Sequence, residues 1–147
     1  MFYHLTPIEN VPSILTFGLR ANAARQLFLF TRKMVADTIA VSQVFCRHYG
    51  LFAVYSRGIT GHLLKDNVAE ACAPFQRMVL GQTVILPHHL KYLGERVVAQ
   101  GKPNAFDYYW WRRVYGWTQK QVREYWIMKA TGRSIAIDPV DHTPHFM

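Results

Sequence analysis

The apolar positions of this chain come in short blocks whose spacing switches between about two and about 3.6 residues, so strands and helices are both predicted and they alternate. Met1 to Leu5 is a brief apolar run with one polar intruder, His4, and predicts a strand entering a core. Asn10 is suited to cap a helix that starts with Val11 and tolerates Pro12 in its first turn, where the missing N–H has no intrahelical partner. Val11, Ile14 and Leu15 give that helix an apolar face, and Gly18 ends it. After a loop from Arg20 to Gln26, the continuous run Leu27 to Thr31 predicts a buried strand. Met34 to His48 lacks Gly and Pro and places Val35, Ile39, Val41, Val44 and Phe45 at helical spacing, with Gly50 as the stop.

Leu51 to Arg57 reads as a central strand, followed by a turn at Gly58 and Gly61. Asp66 to Arg77 has no decisive period and admits either a helix around Val68 to Cys72 or a loop over a cleft. Met78 to Leu86 predicts one long strand, and Pro87 to Leu93 follows it. Gln100 to Phe106 has the composition of a linker. Thr118 and Gln121 then form a capping box, and Trp117 and Val122 have the spacing of a hydrophobic staple. The helix they open carries Val122, Tyr125 and Trp126 on one side and ends near Gly132. Together these elements predict an α+β domain over residues 1–99 and a helical extension over 100–147 packed on it.

Charge narrows the partners. In 147 residues, 17 Lys and Arg stand against 9 Asp and Glu, giving +8 and a pI near 9.8, a balance that favours contact with a polyanion such as nucleic acid. Half the residues are apolar, enough for a core without staples. Cys46 and Cys72 are isolated, with neither zinc-ribbon nor redox spacing, so free thiols and a cytoplasmic location are expected. No apolar run approaches the roughly 18 residues of a membrane span. Adjacent His88 and His89 point opposite ways and have no third ligand at a suitable spacing, so no metal is expected there.

The sequence Tyr3-His4-x-Thr6, then Asn10, then Ser13-Ile14-Leu15-x-x-Gly18-Leu19, resembles the opening of the ADP-ribosyltransferase fold. It is most similar to the DNA-targeting ADP-ribosyltransferase toxins and to the RNA 2′-phosphotransferases, and it covers about residues 1–93. The resemblance implies a split, mostly antiparallel sheet with flanking helices and NAD as substrate. It implies that His4 binds the nicotinamide-side ribose, that Leu5 holds the carboxamide through its backbone, and that Thr6 adds a hydroxyl nearby, with Asn10 and Arg20 as further NAD contacts. An aromatic from the second strand stacks on nicotinamide in that family, and either Phe28 or Phe30 could supply it. Arg25 matches the spacing of a phosphate-binding arginine, with Arg20 and Arg32 as competitors.

Gln82 stands where the family has a catalytic glutamate. An amide can hold a hydroxyl but carries no charge and cannot act as a base. Three consequences are open: another base, an acceptor that is already nucleophilic, or nucleotide binding without turnover. The run Trp110-Trp111-Arg112-Arg113 could stack bases and clamp phosphates, or it could pack a terminal helical hairpin. The function implied is an NAD-dependent ADP-ribosyltransferase with a nucleic-acid or protein acceptor, of the kind found among toxins and bacterial or phage conflict effectors. The alternatives are a catalytically degenerate binding module and an RNA 2′-phosphotransferase-like activity.

Overall fold

The computed structural model describes residues 1–42, 48–65, 75–97 and 102–147. Its strands are β1 (Phe2–Pro7), β2 (Leu19–Arg20), β3 (Gln26–Phe30), β4 (His48–Val54), β5 (His62–Lys65), β6 (Gln76–Leu80), β7 (Val84–Ile85), β8 (Leu90–Val97), β9 (Ile135–Ile137) and β10 (Pro144–Phe146). Its helices are α1 (Val11–Phe17), α2 (Lys33–Ser42), α3 (Ala105–Tyr115) and α4 (Gln119–Ala130). Six strands form one sheet in the order β5-β6-β3-β1-β4-β8, and every registered pair in it is antiparallel. The protein is therefore α+β with a mostly antiparallel sheet.

Alternation along the strands gives the sheet two apolar faces. On one face, Leu27, Leu29, Phe52, Val54 and Val79 pack with Val11 and Ile14 of α1 and with Leu19 and Ile85 of the short β2–β7 ribbon. On the other, Val35 of α2 and Phe106 of α3 gather Phe30, Ile39 and Phe75. The C-terminal helices build a separate aromatic core in which Trp111, Trp117, Val122 and Tyr125 are buried against Ile135 and Ile137 of the β9–β10 hairpin. The capping box is formed: Gln121 N–H donates to Thr118 Oγ1 at 3.3 Å and Thr118 N–H to Gln121 Oε1 at 2.8 Å.

Several sequence expectations are corrected by tertiary pairing. The predicted helix from Met34 is found as α2 as far as Ser42, its expected continuation through Val44 and Phe45 lies outside the described residues, and His48, Tyr49 and Gly50 belong to β4. Gly50 does not end a helix. It lies where a Cβ would come within 2.4 Å of Val11 Cγ2, so its role is to let α1 sit close on the sheet. The long strand predicted over Met78 to Leu86 is broken at Gly81, whose φ of 85° turns the chain from β6 toward β7. The edge strand β5 was not predicted, because all four of its residues are exposed and it has no alternation to read. Pro103 and Asn104 lie ahead of α3, and Asn104 caps that helix by accepting from Asp107 N–H. Cys46, Cys72 and the segment around Val68 lie outside the described residues.

Gly18 performs the stop expected of it, with φ 90° and its N–H donating to Ile14 O at 2.9 Å. A Cβ there would sit 2.3 Å from the Ile85 carbonyl oxygen, which is backbone and cannot swing aside. Gly18→Ala is expected to cost about 1–3 kcal/mol through the left-handed strain and the displaced β7. A lower denaturant midpoint at unchanged m-value would record it.

Candidate functional site

The sheet opens beside His4. β1 and β4 are registered over six consecutive pairs from Phe2↔Val54 to Pro7↔Tyr49, whereas β1 and β3 are registered at Tyr3↔Phe30. Past that point the His4 ring reaches across and its Nδ1 lies 2.9 Å from Phe28 O, so a side chain takes the carbonyl that a continued ladder would have used. The strands part, and α1 closes the gap from one side. The result is a cleft of about 310 Å³.

From β1 the cleft receives His4 and the buried Thr6. Burial is the main influence on the imidazole and holds its pKa below the ordinary value, against the opposing pull of the Phe28 carbonyl. The neutral ring donates Nδ1–H to that carbonyl, which leaves Nε2 as an acceptor. From the start of α1 come Asn10 and Ser13. Asn10 was expected to cap α1 with its side chain, and it makes no such bond. A 3-10 turn over Ile8–Asn10 runs directly into the helix and puts Asn10 at φ −86°, ψ −11°, outside the extended geometry that capping needs. Asn10 lines the cleft instead.

Arg20, in β2, stands at the mouth with its guanidinium 5.1 Å from the centre of the Phe17 ring. Of the described residues lining the cleft it is the one cation, and none of them is a carboxylate. The wall from β3 contributes Gln26, Leu27 and Phe28, with Asn22 from the preceding loop. Five residues predicted from sequence thus meet in one place: His4, Thr6, Asn10, Arg20 and Phe28.

Others do not. Leu5 is paired with Leu51 of β4 and does not line the cleft. Phe30 packs on the α2–α3 side of the sheet, so the choice left open between Phe28 and Phe30 falls to Phe28 as the cleft aromatic. Arg25 takes φ 57° in an exposed turn and does not line the cleft, while Arg32 lies over the Phe75 ring at 5.7 Å. Gln82 is buried and fully engaged away from the cleft: its Oε1 accepts from Thr60 N–H at 2.8 Å and Gly61 N–H at 3.1 Å, and its Nε2 donates to Gly58 O at 2.7 Å and Val84 O at 2.9 Å. It is a tie between two turns.

The C-terminal run is divided by its own helix. Trp111 is buried in the aromatic core, flanked by Tyr115, Trp117 and Tyr125, and Trp110 is half-buried against both apolar clusters. Arg112 and Arg113 are exposed, and at helical spacing they share a face with exposed Tyr109 rather than with the tryptophans.

Sequence reasoning missed Ser13, Asn22 and Gln26 as cleft residues. For Asn22 a signal existed: an Asn in a short loop before a strand is placed to bind the backbone two residues on. It does so, accepting from Ala24 N–H and Gln26 N–H at 3.0 Å each. No helix among the described residues is long and apolar enough to cross a membrane. No protein-family model, curated protein or solved structure matches this chain.

Proposed function

We propose that this protein binds NAD by its nicotinamide–ribose half in the cleft beside His4 and transfers ADP-ribose to a nucleic-acid acceptor. The observation that carries the reading is the meeting of His4, Thr6, Asn10, Arg20 and Phe28 around one opening in the sheet. A volume of about 310 Å³ is at the low end for small-molecule sites and suits half of a dinucleotide, with the remainder beyond the mouth. Neutral His4 offers Nε2 to a ribose hydroxyl, Thr6 adds a hydroxyl, Phe28 offers an aromatic ring, and Arg20 at the mouth is placed for pyrophosphate.

In the transfer, the bond between nicotinamide nitrogen and ribose C1′ breaks, and its electron pair leaves with nicotinamide. A lone pair of the acceptor forms the new bond to C1′, and the acceptor's proton passes to solvent. Among the described residues no carboxylate lines the cleft, which favours an acceptor that is nucleophilic already. The net charge of +8 and the exposed Tyr109–Arg112–Arg113 face of α3 favour nucleic acid as that acceptor.

The engagement of Gln82 with four backbone groups favours a second reading, a module that binds NAD without turnover. The RNA 2′-phosphotransferase-like alternative calls on several arginines, and it is weakened by Arg20 being the one arginine among the described residues that line the cleft.

Labelled NAD incubated with separate pools of DNA, RNA and cell lysate tests the proposal. Label on nucleic acid, lost with His4→Ala, is the expected result. Binding without nicotinamide release from any pool selects the second reading, and absence of binding removes both. In direct titration, His4→Ala is expected to weaken NAD about five- to tenfold, the worth of roughly one hydrogen bond. Because burial lowers the His4 pKa, any loss of NAD affinity through protonation of this residue should have its midpoint below pH 6.5.

A further inference from the structure

One wall of the cleft has a hydrogen-bond polarity set by the chain itself. Asn22 Oδ1 accepts from two backbone groups, Ala24 N–H and Gln26 N–H, each at 3.0 Å. Only an oxygen can take that position, so the Asn22 amide has one orientation and its Nδ2 is the group that remains. That Nδ2 donates to Gln26 Oε1 at 3.2 Å. Gln26 is thereby oriented in turn: with its oxygen committed, Nε2 is left, and an amide nitrogen can only donate. Asn22 and Gln26 both line the cleft, and Gln26 Nε2 donates no hydrogen bond to the described residues. Two backbone amides thus determine, through two side chains, that this wall offers a donor. His4, also lining the cleft, has Nε2 left as an acceptor.

We infer that Gln26 is a specificity-determining residue, held by Asn22 so that the cleft selects a ligand carrying a hydrogen-bond acceptor oxygen at the Gln26 wall and a hydroxyl at His4. The inference rests on the NAD reading for the identity of that ligand. In NAD the oxygen could come from the nicotinamide carboxamide or from a phosphate, and both would be met by the same donor. Asn22 acts through Gln26 and is a positioning residue.

Asn22→Asp tests this at a distance from the ligand. One carboxylate oxygen keeps the two backbone bonds of the loop, while the other replaces Nδ2, so the Gln26 amide turns over to donate to it and presents Oε1 to the cleft. Gln26→Glu gives the same inversion with the Asn22 bonds untouched. Affinities for NAD, nicotinamide riboside and ADP-ribose are measured by calorimetry, with the thermal midpoint recorded for each variant. Both substitutions should weaken NAD about tenfold, the cost of replacing a donor by an acceptor opposite a ligand oxygen. In a Gln26→Ala background, Asn22→Asp should then change affinity by less than about twofold, because the group it redirects is gone. A loss shared by nicotinamide riboside assigns the oxygen to the carboxamide, and a loss confined to NAD and ADP-ribose assigns it to a phosphate.

The inference is overturned if folded Asn22→Asp and Gln26→Glu bind all three ligands as the parent does. It is also overturned if the Asn22→Asp loss persists in the Gln26→Ala background, where charge alone could explain it. A parent protein that binds none of the three removes the NAD reading itself, which is a separate and distinguishable result.

Discussion

Gln82→Glu, the substitution that would restore the glutamate of the ADP-ribosyltransferase pattern, is expected to destabilise the protein by about 3–5 kcal/mol at neutral pH and to leave nicotinamide release unchanged. The reason lies in what the amide does. Its Nε2 donates to two carbonyl oxygens, Gly58 O at 2.7 Å and Val84 O at 2.9 Å, in a buried position. A carboxylate would set an oxygen against both and strand a charge among acceptors, while two donors would be lost. The other amide atom also has no slack, since Thr60 N–H and Gly61 N–H both need its oxygen. Neighbouring Gly61 is packed tightly as well, a Cβ there being 2.6 Å from Leu80 O. Thermal unfolding should record a loss on the order of 10 °C for a chain of this size. Protonation returns one O–H donor, so the deficit should shrink in acid. A Gln82→Glu protein as stable as the parent, with faster nicotinamide release, would show that this side chain belongs to the cleft after all.

A second large effect is expected from Asp107. Its side chain is completely buried where α3 meets α2, and one oxygen, Oδ2, accepts from Asn104 N–H at 2.6 Å, while Oδ1 has no hydrogen-bond partner among the described residues. Burial pushes its pKa from 3.8 up to about 6; bonds involving Thr38 and Asn104 oppose the rise and the nearby Asp37 charge adds to it. Asp37 is itself held by Arg96 Nε at 3.0 Å. The folded state therefore binds a proton more tightly at this site than the unfolded chain does. The stabilisation is fully present below pH 4 and is withdrawn as pH rises through 6. At about 1.4 kcal/mol per pH unit across that window, the group withdraws roughly 3 kcal/mol.

Asp107→Asn removes the titration and retains an oxygen for the Asn104 bond. Its stability should be flat where the parent's declines between pH 4 and pH 6, and above pH 7 it should equal or exceed the parent's. Urea midpoints for the two proteins at pH 4, 5, 6 and 7.5 decide the matter. Parallel profiles would mean that Asp107 titrates as an ordinary exposed carboxyl.

The elements that could be read from the chain are those whose causes are local. Pro12 and Gly18 bound α1 because one lacks an N–H the first turn does not use and the other accepts φ 90°. Thr118 and Gln121 announce α4 because both halves of the box lie within four residues. Residues 48–50 were misread because β4, buried from Tyr49 to Val54, has no alternation to mark where it begins. β5 escaped notice for the opposite reason, as an exposed edge strand whose pairing is supplied entirely by β6.

The candidate site divides in the same way. His4 stood out as a polar residue in an apolar strand, and Thr6, Asn10 and Arg20 entered with the motif around it. The fate of Gln82 was not legible, because its four partners come from residues 58, 60, 61 and 84, and only folding brings the first three to it. The run Trp110 to Arg113 read as one surface, yet a helix turns each successive residue by about 100°, so its tryptophans face the interior and its arginines face solvent.

By itself, the sequence determined an α+β chain, the bounds of α1 and α4, and a net positive charge that any polyanion would feel. These follow from steric, capping and Coulombic effects carried by residues near one another or summed over the whole. Tertiary structure alone decided that β1 and β3 part at His4, that Phe28 rather than Phe30 meets the cleft, and that Asn22 orients Gln26 there while Gln82 is consumed as a tie. Each of these depends on which strand pairs with which and on which polar groups must then be satisfied, and that is settled only when distant parts of the chain meet.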